Sequence, residues 1–262
     1  MLSLLQAVII AIVQGITEFL PISSTGHMII TEYLIGVKPS EFANIFAVSI
    51  HLGTILSVVI LYWKRFFQSL QLYYKLFIAF IPAGVAGFLL DDFITSRLGN
   101  VYVVSVSLVL GGIVLLFADK WFSKPDKDQE ISYSKSFKIG LFQIIAMIPG
   151  VSRSAATIIG GMSQKLNRKN AAEFSFLLAV PTIIAATGYK LLKTYKSINH
   201  ENINILIIGN IVAFIVAFIA IKAFITIIQK YGFRIFGYYR IAVGLILLIL
   251  LLLGYNLKIG LD

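Results

Sequence analysis

Six stretches of the chain are almost wholly apolar, and short polar clusters punctuate them. Phe42 to Trp63, Val101 to Ala118, Asn202 to Ile221 and Ile241 to Leu257 contain no Asp, Glu, Lys or Arg; Leu76 to Leu90 and Phe174 to Tyr189 repeat the pattern over shorter lengths. Spanning the hydrocarbon layer of a bilayer takes roughly 20 apolar residues in a helix. Backbone groups in lipid find no water, so each stretch is predicted to be helical, with its hydrogen bonds closed inside the segment.

Two further apolar stretches are interrupted. Leu2 to Leu20 stops at Pro21, and Ile139 to Ser163 is broken at Pro149-Gly150, which leaves limbs of about half the membrane thickness. Irregular backbone at membrane depth persists only where protein or a water-filled cavity satisfies it. Both are therefore expected to be re-entrant hairpins with polar tips near the midplane.

The chain also resembles itself. Glu41-Phe42 followed by Ala47-Val48 recurs at the same spacing as Glu173-Phe174 followed by Ala179-Val180. Upstream of each copy lie a glutamine (Gln14, Gln143), a proline (Pro21, Pro149) and a Ser-rich knot. The expected architecture is an all-α integral membrane protein of two repeats, about 1–120 and about 133–257, in one domain covering 1–262. Each repeat is a hairpin plus three spans. Three crossings separate the hairpins, so the second enters from the opposite face and the repeat is inverted.

Composition agrees and narrows the classes. Of 262 residues, 58% are hydrophobic and 13% charged, far too apolar for a single soluble core. The net charge of +10 sits in short loops rather than on one continuous stripe, so it reads as a topology signal and not as a nucleic-acid surface. Zero cysteines exclude disulfides, thiolate catalysis and cysteine-based metal sites. Met1 to Thr17 lacks the basic leader and small-residue cleavage site of a signal peptide. Fourteen of the 22 basic residues fall in loops on one side, from Lys64 to Arg234, against six on the other: Lys38, Arg97, Lys190, Lys193, Lys196 and Lys258. The richer side is expected to be cytoplasmic. Both termini and the mouth of the first hairpin then face outward, in a bacterial plasma membrane. Asp91, Asp92 and Arg240 read as solvated interface residues.

The first knot runs Gln14-Gly15-Ile16-Thr17-Glu18-Phe19-Leu20-Pro21-Ile22-Ser23-Ser24-Thr25-Gly26-His27, and the second Pro149-Gly150-Val151-Ser152-Arg153-Ser154-Ala155-Ala156-Thr157. A carboxylate inside a span costs several kcal/mol, so Glu18 is a candidate site residue; Gln14 lies one turn away on its face. Ser23, Ser24 and Thr25 can cap the following limb, as Ser152 and Ser154 can in the second knot, which makes two anion-friendly helix N-termini. Arg153 adds a planar cation that matches phosphate oxygens in pairs, with Thr157 a turn beyond. Combined at one place, these groups suit phosphoryl transfer. Singly they have plainer roles: a hydroxyl bonding its own helix, Glu18 and Arg153 as a buried structural pair, His27 and His51 as satisfied histidines. A lipid carrier built from inverted repeats and broken helices is the rival class.

The two knots, with Glu173-Phe174-Ser175-Phe176-Leu177-Leu178-Ala179-Val180-Pro181, resemble the undecaprenyl diphosphate phosphatases associated with bacitracin resistance, over essentially the whole chain. The type 2 phosphatidic acid phosphatases share only fragments: Thr25 interrupts their Ser-Gly-His, and no His follows Ser152-Arg153 at their distance. The first resemblance implies removal of the terminal phosphate from undecaprenyl diphosphate, which recycles the lipid carrier for cell-wall synthesis, with Mg²⁺ or Ca²⁺ in support. By motif, Glu18 would hold the metal. Arg153 would clamp phosphate, His27 would do acid/base or nucleophilic work, and Ser24, Ser152 and Thr157 would attack or orient. Gln14, Ser23 and Ser154 complete the expected substrate contacts. Ser24 and His27 stay open as alternative nucleophiles. The expected partners are a polyprenyl diphosphate and membrane lipid, with no nucleic acid; small-residue pairs such as Gly111-Gly112, Gly160-Gly161 and Gly84 with Gly87 leave room for a homodimer.

Overall fold

The computed structural model describes residues 2–194, 200–255 and 257; Met1, Lys196 and Lys258 of the expectations above lie outside it. Among the described residues the chain is all helical. A pair of short helices, α1 (Leu4–Thr17) and α2 (Ser24–Leu34), precedes three long ones: α3 (Glu41–Leu61), α5 (Leu70–Phe93) and α6 (Val101–Trp121). A short helix, α4 (Trp63–Gln68), links α3 to α5, and Ile94–Leu98 extends α5 as a π turn. The order then repeats with a short pair, α7 (Tyr133–Ile145) and α8 (Arg153–Ser163), before α9 (Arg168–Thr194), α10 (His200–Tyr231) and α11 (Arg234–Leu252). Six of these helices are long and apolar enough to cross a membrane, as hydropathy predicts.

Polar side chains start the helices where the apolar runs begin. The Ser3 hydroxyl and the Gln6 amide close a reciprocal capping box on α1, and Ser40, Asn100 and Ser132 accept from the first-turn N–H groups of α3, α6 and α7. The outward faces stay apolar: Ile207, Ile211, Ile215 and Ile219 form an exposed ridge at helical spacing along α10. An exposed ridge of isoleucine is stable against lipid tails and not against water.

Glycines set the closest crossings. Gly15 brings α1 against Ala213 and Val216 of α10, and Gly140 brings α7 against the backbone of Ala79 in α5. The first helix of each short pair therefore packs on the middle long helix of the other set. Gly112 and Gly237 face each other's carbonyl where α6 meets α11, so this small-residue pair packs helices within the chain; Gly160 and Gly161 likewise face Phe142 and Ala171.

Ion pairs gather at one end. Arg65 and Lys169 meet Glu173, Lys75 meets Glu130, and Arg168 Nε donates to Asp119 Oδ1 at 2.7 Å. Asp119 Oδ2 also accepts from Phe233 N at 2.8 Å, so one carboxylate ties the end of α6 to the starts of α9 and α11. Asp91 and Asp92 are exposed, but Arg240 is fully buried, which corrects its reading as an interface residue. Its guanidinium finds its partners inside the protein.

Replacing Asp119 by Ala leaves the Phe233 N–H and the Arg168 guanidinium without their acceptor. The expected loss is about 1–3 kcal/mol of stability, measured by unfolding in detergent micelles; unchanged unfolding would show that this carboxylate does not hold the three helices.

Candidate active site

Both short pairs turn at the predicted breaks, and they turn alike. Ser23 and Ser152 are the N-cap residues of α2 and α8, with φ of 69° and 75°. Positive φ at a residue with a Cβ costs of order 1–3 kcal/mol, so surrounding contacts must impose it. Each serine hydroxyl accepts from an N–H of its own helix, Gly26 at 3.4 Å and Ala155 at 3.2 Å. The next residue in each case, Ser24 or Arg153, is the first of its helix.

These two first residues converge on one carboxylate. Arg153 Nη2 donates to Glu18 Oε1 at 3.2 Å, and Ser24 Oγ donates to Oε2 at 3.3 Å. Gln14 Nε2 donates to the same Oε2 at 2.8 Å from one turn earlier in α1. Arg153 Nη1 donates to the Ser175 carbonyl at 3.0 Å, and its guanidinium lies 5.7 Å from the centre of the Phe19 ring. Three donors, a guanidinium, an amide and a hydroxyl, thus meet the buried carboxylate, and the guanidinium balances its charge.

Beside this cluster lies a cavity of about 330 Å³, lined by Glu18, Ser23, Ser24, Thr25, Ser152 and Arg153 from the two turns, and by side chains of α3 and α9. The N-termini of α2 and α8 meet at its wall, so unpaired N–H groups and dipoles from both helices favour an anion there.

Three predicted residues stand behind the wall rather than in it. Gln14 holds Glu18; Ser154 Oγ donates to the Phe19 carbonyl at 2.6 Å, joining the second turn to the first; Thr157 Oγ1 pairs with Ser175 Oγ at 2.6 Å and with the Arg153 carbonyl at 2.8 Å. His27 is turned away from the cavity. Its Nδ1 lies 2.8 Å from the Ser23 carbonyl and its Nε2 2.7 Å from the Tyr239 hydroxyl, with the two rings stacked. A carbonyl only accepts, so Nδ1 carries the proton and Nε2 accepts from Tyr239. Both nitrogens are then engaged by the protein.

The imidazole that reaches the cavity is His51. Its Nδ1 faces the Ala47 carbonyl at 2.9 Å, and Nε2 stands 3.6 Å from Glu18 Oε2. Lying mid-span, it carried no signal that separated it from a packed core histidine. Lys190 also lines the cavity, on the face of α9 that carries Thr182 and Ala186. Expected among the loop lysines, it lies instead inside α9, four residues beyond Ala186 on the same face.

The comparisons fit this geometry. The family model described as bacitracin resistance protein BacA matches residues 7–246, which include both turns and every residue named at the cavity. A Flavobacterium johnsoniae protein named undecaprenyl-diphosphatase is 57% identical over 252 residues, covering 94% of this chain and 95% of its own length. Proteins of the same name from Bdellovibrio bacteriovorus and Aquifex aeolicus are 54% and 52% identical, over 98% and 92% of this chain and 99% and 96% of their own. The chain belongs to the bacitracin resistance protein BacA family.

Proposed function

We propose that this protein is an integral membrane phosphatase that converts undecaprenyl diphosphate to undecaprenyl phosphate and inorganic phosphate, returning the lipid carrier to cell-wall synthesis. One observation carries the reading: the first residues of two helices, a hydroxyl and a guanidinium, meet a single buried carboxylate at the wall of a cavity. The family relatives named undecaprenyl-diphosphatase support it.

The cavity receives the diphosphate and the isoprenoid tail lies along the apolar helices. Phosphate oxygens draw the Arg153 guanidinium and the N–H groups of α2 and α8, and that attraction offsets the loss of hydration. Ser24 is the better placed of the two candidate nucleophiles, because its hydroxyl already points at Glu18 while His27 has no free nitrogen. As Ser24 Oγ bonds to the terminal phosphorus, its proton passes to Glu18 Oε2. The bond from phosphorus to the bridging oxygen breaks, and the lipid monophosphate leaves as an anion. Water then attacks the phosphoserine phosphorus, the bond to Ser24 Oγ breaks as Glu18 returns its proton to that oxygen, and inorganic phosphate leaves with the protons of the water.

The fit of Mg²⁺ or Ca²⁺ rests on the donor set. Among the described residues no group of three or more His, Asp or Glu side chains could hold a metal ion, so those residues offer no closed cage. Among the described residues Glu18 is the one carboxylate lining the cavity, and hard cations bind readily through one carboxylate together with substrate phosphates. Glu18 would hold such a cation jointly with the diphosphate, and the cation would neutralise phosphate charge.

The paired turns are re-entrant, and the two repeats are inverted with respect to each other. The cross-packing of α1 on α10 and of α7 on α5 supports this symmetry. With the lysine-rich end cytoplasmic, the cavity opens outward at Lys190, in a bacterial inner membrane.

Purified wild-type protein in detergent should release phosphate from undecaprenyl diphosphate. Glu18→Ala and Arg153→Ala should each slow it by about 10²–10³-fold, and Ser24→Ala by at least as much; full activity after both Glu18 and Arg153 are removed would sink the assigned site.

Chelation should suppress turnover, and added Mg²⁺ or Ca²⁺ should restore it. A rate indifferent to chelator would remove the cation from the mechanism.

The buried pair should also show itself in stability. Each single alanine variant strands a charge at a cost of about 3–5 kcal/mol, whereas the double variant should lose clearly less than the sum in the same unfolding assay. Additive losses would mean that the two groups do not interact.

A further inference from the structure

The residue that binds both turns together is Arg240, on α11, which reaches neither the cavity nor Glu18. Its side chain has no exposure, and all five N–H groups end on backbone carbonyls. Nη1 donates to Pro21 O at 3.0 Å and Val151 O at 2.9 Å; Nη2 donates to Gly150 O at 2.9 Å and Ser107 O at 3.1 Å; Nε reaches Leu108 O at 3.4 Å. Among the described residues no carboxylate pairs with it.

The placement of those carbonyls gives the interaction its meaning. Pro21 precedes Ser24 by three residues and Gly150 precedes Arg153 by three, so one guanidinium grips equivalent carbonyls of the two turns, one on each terminal nitrogen. A turn that leaves its helix exposes carbonyls that no backbone N–H can satisfy, and a planar fork with five donors can satisfy several at once. Gly111 makes the passage for it: a Cβ there would overlap Arg240 Nη2 and stand 2.8 Å from Cζ.

We propose that Arg240 is a positioning residue of the phosphatase, a clamp on the backbone of both turns that fixes the separation of Ser24 from Arg153. This rests on the hydrolytic reading above. Lysine in its place keeps the positive charge but offers three donors from a single nitrogen, which cannot span carbonyls on both turns and on α6. The positive charge at this position survives, Arg153 is untouched, and the alignment of nucleophile with phosphorus is lost. Misplacement of a reacting group by about 1 Å costs about a hundredfold in rate.

The test measures phosphate release from undecaprenyl diphosphate by full-length protein in micelles, alongside unfolding of each variant. Arg240→Lys is expected to lower kcat by about a hundredfold with KM close to wild type. Gly111→Ala, which displaces the guanidinium without altering it, is expected to shift the same parameter in the same direction and keeps the test open should Arg240→Lys fail to fold. Asp119→Ala, at the far end of the bundle, supplies the comparison: it lowers stability and leaves kcat unchanged. Wild-type kcat in folded Arg240→Lys and Gly111→Ala would overturn the proposal, as would a loss no greater than their loss of folded protein. An inactive wild type would instead overturn the hydrolytic reading itself.

Discussion

A helix that stops inside an apolar bundle leaves carbonyls and N–H groups with no water to receive them, and each one left unpaired costs a few kcal/mol. That constraint shapes the centre of this protein. The two turns are buried at Pro21, Ser23 and Gly150, yet their backbone is satisfied: serine hydroxyls take N–H groups at the starts of α2 and α8, and Arg240 takes the carbonyls at Pro21, Gly150 and Val151. The helix starts at Ser24 and Arg153 line the cavity, where first-turn N–H groups beyond those the caps take lack an intrahelical partner. Ordinary backbone accounting thus produces an anion site as its residue.

The same accounting explains why the site is built from two halves with different chemistry. Ser24 and Arg153 occupy equivalent first positions of equivalent helices, and Glu18 has its counterpart in Met147, another residue at the cavity wall. One repeat supplies the acid and the hydroxyl, and the other supplies the cation. A symmetric site with two carboxylates would repel a diphosphate, and one with two arginines would bind it without a group to take the proton from the nucleophile.

Hydropathy located all six long helices, because a bilayer demands apolar length and little else. The turns were equally legible, since Pro and Gly in an apolar run have few other meanings. The pairing of Ser24 with Arg153 was hidden: the Glu-Phe repeats are offset by a different number of residues from the cap serines, so aligning the chain on one misaligns the other. Arg240 was misplaced for a related reason. An arginine at the edge of an apolar run usually reaches headgroups, and only the fold reveals that carbonyls from α6 and both turns surround it. His51 lines the cavity and His27 bonds Ser23 and Tyr239, a difference that no local pattern in the sequence states.

The clamp also bears on whether such a cavity cuts its lipid or carries it. Alternating access in inverted-repeat carriers rocks one repeat against the other around a fixed site. Here Pro21, Ser107 and Leu108 come from the first half of the chain, up to α6, and Gly150, Val151 and Arg240 from the second, from α7 on. Ser154 Oγ adds a bond to Phe19 O across the same boundary. If the two halves of the chain rocked as such repeats do, the motion would have to break these buried, charge-assisted hydrogen bonds. A rigid junction obstructs a carrier and serves an enzyme, whose reacting groups must hold their alignment while phosphorus passes between oxygens.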